Sequence, residues 1–289
     1  MKTRPLDFLV IGAHKSGTTA LFQYLRHHPR IFLPPEKEIA FFSNESWFTQ
    51  GWEVFAEEFF SQASDDVLLG KVTPQYMAHS HVPQRIREAM PDVKLIALLR
   101  NPVDRAFSHF RMAVRTNSEN SPFEQVISEA KKEDTLTGYL SLGEYGRILG
   151  RYRQYFPMDR LLILFADDLE TRPQFVLDSI ARYLGVDSHT PKNLGTRYHV
   201  GGTSQRFPRL IPTVKRVSPL WRLWKLLPER RRRIIRFWFH TEFSSASQPP
   251  AQLSQSLRAQ LVEYFREDVR TLEILVGAKV PWNEFRDPA

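Results

Sequence analysis

Between Asp7 and Pro29 the chain reads DFLVIGAHKSGTTALFQYLRHHP. Phe8 to Ile11 is an apolar run of the kind that forms a buried strand, and Gly12 to Gly17 bounds a short loop. Thr18 to His28 carries Leu21, Tyr24, Leu25 and His28 at helical spacing, and Pro29 stops the helix. No other stretch constrains the fold as strongly. A strand, a glycine loop and a helix in that order present backbone N–H groups and a positive helix end to an anion. In loops that cradle ATP or GTP, lysine directly follows the second glycine. Here Thr18 follows Gly17, and the lysine, Lys15, lies inside the loop. The pattern suits an anionic diester-like group better than a triphosphate with its magnesium.

Three more apolar runs read as strands: Val67 to Val72, Lys94 to Leu99 and Leu161 to Phe165. Helix-like segments separate them, among them Pro83 to Met90, Val103 to Val114 and Arg147 to Phe156. Strands that alternate with helices imply a parallel sheet with right-handed crossovers, and runs apolar on both faces imply cover on both sides. The expected fold is α/β: a P-loop-like three-layer domain with a central parallel sheet flanked by helices. At 289 residues a single domain over the whole chain is expected. Within it, 190–252 reads as irregular, basic and aromatic, on the acceptor side or as a lid. The span 253–276 reads as an amphipathic C-terminal docking helix. The chain has no cysteine, which excludes disulfides, thiol catalysis and thiolate metal sites. The N-terminus runs into the first strand, and no apolar run is long enough to span a bilayer, so a cytoplasmic location is expected.

In such sheets ligands bind outside the carboxyl ends of the strands. That edge collects the residues with chemistry. LIALLRNPVDRAFSHFR, from Leu95 to Arg111, delivers Arg100 at the end of a buried strand, with Ser108 two helical turns further on. An arginine fork and a hydroxyl at that spacing suit one phosphate. An ATPase would carry an aspartate for magnesium at this strand end, so a second phosphate fits better than a metal. The competing reading pairs Arg100 structurally with Asp104. Glu38, in PPEKEIAFF, stands before an aromatic wall, where a raised pKa would suit a general base. Its neighbours Glu36 and Lys37 read as solvated loop charges. Lys71, in GKVTPQY, is placed at a strand end before Pro74, with a plain surface lysine as the alternative.

Together these pieces resemble the sulfotransferases that use 3′-phosphoadenosine 5′-phosphosulfate (PAPS). HKSGTTAL is similar to the family's 5′-phosphosulfate loop, and LLRNPVDRAFSHF to its 3′-phosphate motif. KEIAFF and GKVTPQY resemble the heparan-sulfate-type segments that hold the base and a second active-site lysine. SLGEYGRILGRYRQYFPMDRLLILFADDL is similar to the central region. The resemblance implies sulfuryl transfer to a hydroxyl or amine of a carbohydrate, lipid or small-molecule acceptor. It implies PAPS as co-substrate, 3′,5′-adenosine bisphosphate (PAP) as product, and no metal. It assigns Lys15 to the bridging and leaving oxygens, and Ser16, Gly17, Thr18 and Thr19 to the 5′-phosphate. Arg100 and Ser108 take the 3′-phosphate, Glu38 the acceptor proton, and Lys71 the sulfonate or the acceptor. VGGTSQRFPR stands at the place of a late nucleotide-contacting loop, which adds Gly202 and Arg206. Some members carry a histidine two residues after the base, where this chain has Ala40. The small-molecule branch of the family uses a histidine base, so His14, His79 and His81 are rivals to Glu38.

Val214 to His240 holds nine basic residues against Glu229 alone, which accounts for the whole formal net charge of +8. Trp221, Trp224, Phe237, Trp238 and Phe239 interleave with them. Three readings stand: a subdomain of short helices with solvated arginines, an acceptor lid, or a surface that touches anionic membrane lipid. No nucleic-acid motif accompanies the segment, so nucleic acid is not an expected partner. Two other functions remain as alternatives. A P-loop nucleotide kinase would need a lysine after Gly17 and a carboxylate for magnesium. A non-catalytic nucleotide- or polyanion-binding module would not need Lys15, Glu38, Arg100 and Ser108 together.

Overall fold

A computed structural model of the chain describes residues 4–116, 118–130, 138–196, 203–205, 244–246 and 253–286. Gly202, Arg206 and Val214 to His240 lie outside the described residues. The chain divides into two compact units. One comprises Met1–Phe107, Pro122–Tyr198 and Leu253–Ala289, and the other Ser108–Ser121 and His199–Gln252.

The first unit is built on a five-stranded sheet. Its strands are β1 (Phe8–Gly12), β2 (Ile31–Phe32), β3 (Leu68–Val72), β4 (Lys94–Leu99) and β5 (Leu161–Phe165). The order is β2-β3-β1-β4-β5, and every pairing is parallel. The central strand β1 is apolar because both its faces are covered: Phe8, Leu9, Val10 and Ile11 are all fully buried. Phe8 and Val10 join Ile96 and Leu98 of β4 on one face. There they pack with Leu21, Phe22 and Leu25 of α1 (Thr18–Leu25) and with Val176, Leu177 and Ile180 of a later helix, Pro173–Leu184. Each strand thus sits in a layer between helices, the three-layer arrangement expected.

Among the described residues seven helices precede β5: α1, α2 (Glu45–Gln50), α3 (Trp52–Phe60), α4 (Val82–Ala89), α5 (Pro102–Arg115), α6 (Phe123–Ala130) and α7 (Tyr145–Arg153). The described residues after β5 form α8 (Ala166–Thr171), α9 (Pro173–Leu184) and α10 (Gln255–Val276). α1 ends three residues short of His28, in a tighter last turn in which the His27 and His28 N–H groups donate to the Tyr24 and Leu25 carbonyls, and the His28 ring packs away from the helix. Its Nε2 meets the Asp187 carbonyl at 2.9 Å, and its Nδ1 accepts from the Arg30 N–H at 3.1 Å. α7 starts earlier than its apolar spacing suggests. Asp268 of α10 accepts from the Gly146 and Arg147 backbone N–H groups, at 2.9 and 2.8 Å, and so caps α7 from across the fold.

In the second unit, β6 (Thr203–Gln205) and β7 (Ser244–Ala246) pair antiparallel. They fall in the stretch expected to be irregular. Three small or polar residues each carry no readable period, so neither strand announces itself in the sequence.

Candidate active site

The loop after β1 delivers its anion-seeking groups in a fixed order. Ala13 N–H donates to the Leu98 carbonyl at 2.8 Å, which ties the loop to the end of β4. Lys15 takes a left-handed backbone, φ 70°. Gly17 follows at φ 89° and forms the N-cap of α1. An added Cβ at Gly17 would meet that backbone strain and a Leu169 methyl at 3.3 Å. Among the described residues no side chain caps α1, so the first N–H groups of the helix are available to an anion. Ser16 and Thr18 are buried, while Thr19 is half-buried.

Arg100 leaves the end of β4 directly beside this loop, with Nη1 3.5 Å from the Lys15 carbonyl. The expected structural partner, Asp104, is engaged elsewhere. Arg258 of α10 holds it at 2.8 Å and also reaches Glu284 at 2.8 Å. Asn101 starts α5 by accepting from the Val103 N–H at 2.9 Å. No carboxylate pairs with Arg100 among the described residues. Ser108 lies midway along α5 and opens the second unit.

On the other side of β1, Lys71 sits in β3 opposite Leu9. It is not a surface lysine: it is 2 % exposed, and its Nζ donates to the Glu36 carbonyl at 2.8 Å. Burial pulls its pKa down to about 7, although Glu36 and Glu38 oppose the fall. The Glu38 loop is pinned at several points. Glu38 N–H donates to the Val72 carbonyl at 3.1 Å. The Tyr76 hydroxyl accepts from the Phe41 and Phe42 N–H groups at 2.9 and 3.3 Å. Glu38 itself has φ 67°. Lys15 and Glu38 are the two non-glycine positions with positive φ among the described residues, and backbone strain of this kind gathers at functional sites.

Two expectations about this loop are corrected. The Glu38 carboxyl is not raised. Burial pushes it up, but the Lys37 ammonium, a Gln75 hydrogen bond of 2.8 Å and the His14 ring outweigh that, and it lies below its usual value. Lys37 is not a solvated charge: its side chain is 4 % exposed and ion-paired with Glu38. Glu36 is half-buried, with its carbonyl taken by Lys71.

His14 adjoins Lys15, Arg105 and Glu38, and burial first, then the two cations, lowers its pKa to about 4. It is therefore neutral at physiological pH. His79 and His81 form a ring pair 5.6 Å apart between β3 and α4. Burial lowers both, the second ring adding to the effect at His79 and Arg85 at His81.

The structure thus gathers Lys15, Ser16, Gly17, Thr18, Thr19, Arg100, Lys71 and Glu38 along one edge of one sheet. It adds residues that the sequence did not single out: Lys37, Gln75, Tyr76, Arg105 and Tyr145. Gln75 and Tyr76 belong to GKVTPQY, and their place within that motif was the available signal. Among the described residues there is no group of three or more histidines or acidic residues able to hold a metal.

A parallel sheet with a cationic glycine loop and an arginine just past the end of the neighbouring strand, without a carboxylate partner among the described residues, defines an α/β protein of the P-loop-like class. Residues 5–197 match the family model described as a sulfotransferase domain, and the chain belongs to the sulfotransferase family. It is 33 % identical over 194 residues to human bifunctional heparan sulfate N-deacetylase/N-sulfotransferase 2, covering 62 % of this chain and 22 % of that protein. It is 27 % identical over 184 residues to mouse heparan sulfate glucosamine 3-O-sulfotransferase 5, covering 62 % of this chain and 53 % of that protein. The chain therefore spans about a fifth to a half of the length of these relatives. The crystal structure of a sulfotransferase from Alicyclobacillus acidocaldarius shares the fold, with a TM-score of 0.68 and 22 % identity over 96 % of this chain and 98 % of that one.

Proposed function

We propose that this chain moves a sulfuryl group from PAPS to a hydroxyl or amine of a carbohydrate acceptor. The observation that carries the donor is Arg100, a strand-end guanidinium with no carboxylate partner among the described residues, beside a loop whose helix end is uncapped. PAPS has two separate anionic ends, a 5′-phosphosulfate and a 3′-phosphate, and the loop and Arg100 match them in number and sign. Bound PAPS supplies the sulfuryl group, and PAP remains after transfer.

The chain's own residues do the rest. The α1 N–H groups with Ser16, Thr18 and Thr19 hold the 5′-phosphate, and Arg100 holds the 3′-phosphate. Lys15 faces the leaving oxygen, where charge develops as the bond breaks. Glu38 takes the acceptor proton. Its lowered pKa keeps it ionised, and the Lys37 and Gln75 contacts fix its direction. Lys71 is near half-protonated at neutral pH. A sulfonate arriving beside it favours the ammonium, so donor binding takes up a proton there. The carbohydrate acceptor is supported by the two heparan sulfate relatives.

Affinity for PAP and ATP in the presence of a chelator tests the donor. PAP should bind at micromolar concentration or tighter, roughly 8 kcal/mol, and ATP much more weakly because it lacks a 3′-phosphate. Equal affinities, or binding that requires magnesium, would refute the assignment.

A further inference from the structure

Beneath the loop lie two buried polar side chains, Arg105 and Tyr145, that the donor contacts above leave unused, next to Ser16 of the loop itself. Arg105 is 0 % exposed. Its Nη2 donates to the Tyr139 carbonyl, while its Nε and Nη1 meet no acceptor among the described residues. Tyr145 is 0 % exposed, and its hydroxyl lies against Ser16 and the Arg100 backbone, with no partner at full hydrogen-bond geometry among the described residues. Ser16 is 1 % exposed, and its Oγ has no partner at full hydrogen-bond geometry among the described residues. No carboxylate approaches Arg105 within ion-pair distance among the described residues. Its charged neighbour is another cation, Arg100.

A buried guanidinium with idle donors is costly to the fold. Three idle groups side by side, ending at the loop, share one missing element: an acceptor at the loop end. Arginine can only donate, whereas tyrosine and serine hydroxyls each donate once and accept. The order Arg105, Tyr145, Ser16 can therefore run as a chain of donors in a single direction.

We propose, on the reading that the loop holds the donor's 5′-phosphosulfate, that Arg105 and Tyr145 are positioning residues acting through Ser16. With the anion in place, the Ser16 hydroxyl donates to a phosphate oxygen, Tyr145 donates to Ser16 Oγ, and Arg105 Nη1 donates to Tyr145 Oη. Each oxygen in the chain then accepts one proton and donates one. The chain polarises towards the anion, and the charge of Arg105 is felt at the loop without touching the ligand. The 3′-phosphate takes no part. The chain is thus specific to the 5′ end, in contrast to Arg100.

The test compares the full-length wild type with Arg105→Met and Tyr145→Phe, in metal-free buffer, by melting temperature and by affinity for PAP and 5′-AMP. Because the idle donors burden the free protein, both variants should melt at or above the wild-type temperature. Affinity should fall by about thirtyfold for Arg105→Met and about tenfold for Tyr145→Phe, by the same factor for PAP as for 5′-AMP. A merely structural arginine would give the reverse: a lower melting temperature with unchanged affinity. A loss confined to PAP would assign the cluster to the 3′-phosphate. Either result overturns the proposal. If Arg105→Met does not fold, Tyr145→Phe decides alone by the same criteria. Wild type that fails to bind PAP would overturn the donor assignment and this chain with it. Wild type that binds PAP while both variants match it overturns the relay alone.

Discussion

Lys71 offers a test in which stability and function move in opposite directions. The perturbation is Lys71→Met, which keeps the length of the side chain and removes the amine. An ordinary lysine holds its proton to 10.5, and Lys71 in the fold lets it go at about 7. Between these values the unfolded chain binds the proton and the folded chain does not, so wild-type stability rises with pH across that window. At pH 7 the buried amine costs the fold about 4 kcal/mol. At about pH 9.5 the cost is about 1 kcal/mol. Methionine carries no such cost at any pH. The lost bond to the Glu36 carbonyl, about 1–3 kcal/mol, subtracts from the variant's advantage equally at both pH values. The quantity to read is therefore the change in the difference between the two proteins. The variant's lead should shrink by about 3 kcal/mol from pH 7 to about pH 9.5, roughly 6–12 °C in melting temperature for a chain of this size. Urea or thermal unfolding of both proteins at the two pH values measures it, and the variant should be inactive at both. A pH-independent difference would refute the reasoning, since Lys71 would then titrate alike in the folded and unfolded chain.

Further outcomes are expected from the same geometry. Glu38→Gln should keep PAP affinity while kcat falls by roughly two to four powers of ten, measured by steady-state kinetics and calorimetry; near-normal kcat would move the base to another residue. Arg100→Ala should weaken PAP by about tenfold or more and leave 5′-AMP unchanged, because it removes a charge-assisted contact to the 3′-phosphate alone. The folded pKa of His14, about 4, is depressed from 6.5. Between those values the unfolded chain binds more protons, so wild type should lose about 3 kcal/mol relative to His14→Gln as pH falls through them; parallel acid-unfolding curves would contradict this. Gly17→Ala should lower stability by about 1–2 kcal/mol through its positive φ and weaken PAP as the loop shifts.

The sheet was legible because its strands are buried on both faces and therefore apolar without a break, and β1, β3, β4 and β5 fall where those runs stand. β2 escaped because two residues carry no period. α2 and α3 escaped because Phe41, Trp47, Trp52, Phe55 and Phe59 gather in one aromatic cluster that obscures helical spacing. Motif spacing located the loop and Arg100, since strand ends and turn residues are local signals. What it could not locate is long-range. The partner that removes Asp104 from Arg100 lies in α10. The groups that set the Glu38 pKa include Gln75, on a different segment. Lys71 was placed near its strand end, but its depth follows from the sheet closing around it. Arg105 sits inside the motif, yet only packing reveals it as buried with donors to spare.

Transfer of labelled sulfuryl from PAPS tests the central claim most directly. Wild type, Lys15→Ala and Glu38→Gln would be incubated with labelled PAPS, a chelator, and a panel of carbohydrate, lipid and small hydroxyl or amine acceptors. The account predicts that wild type labels a carbohydrate acceptor with the chelator present and releases PAP in equal amount. Both variants should lose that transfer, and only Lys15→Ala should also lose donor affinity. An unlabelled panel together with magnesium-dependent phosphoryl transfer from ATP would contradict it.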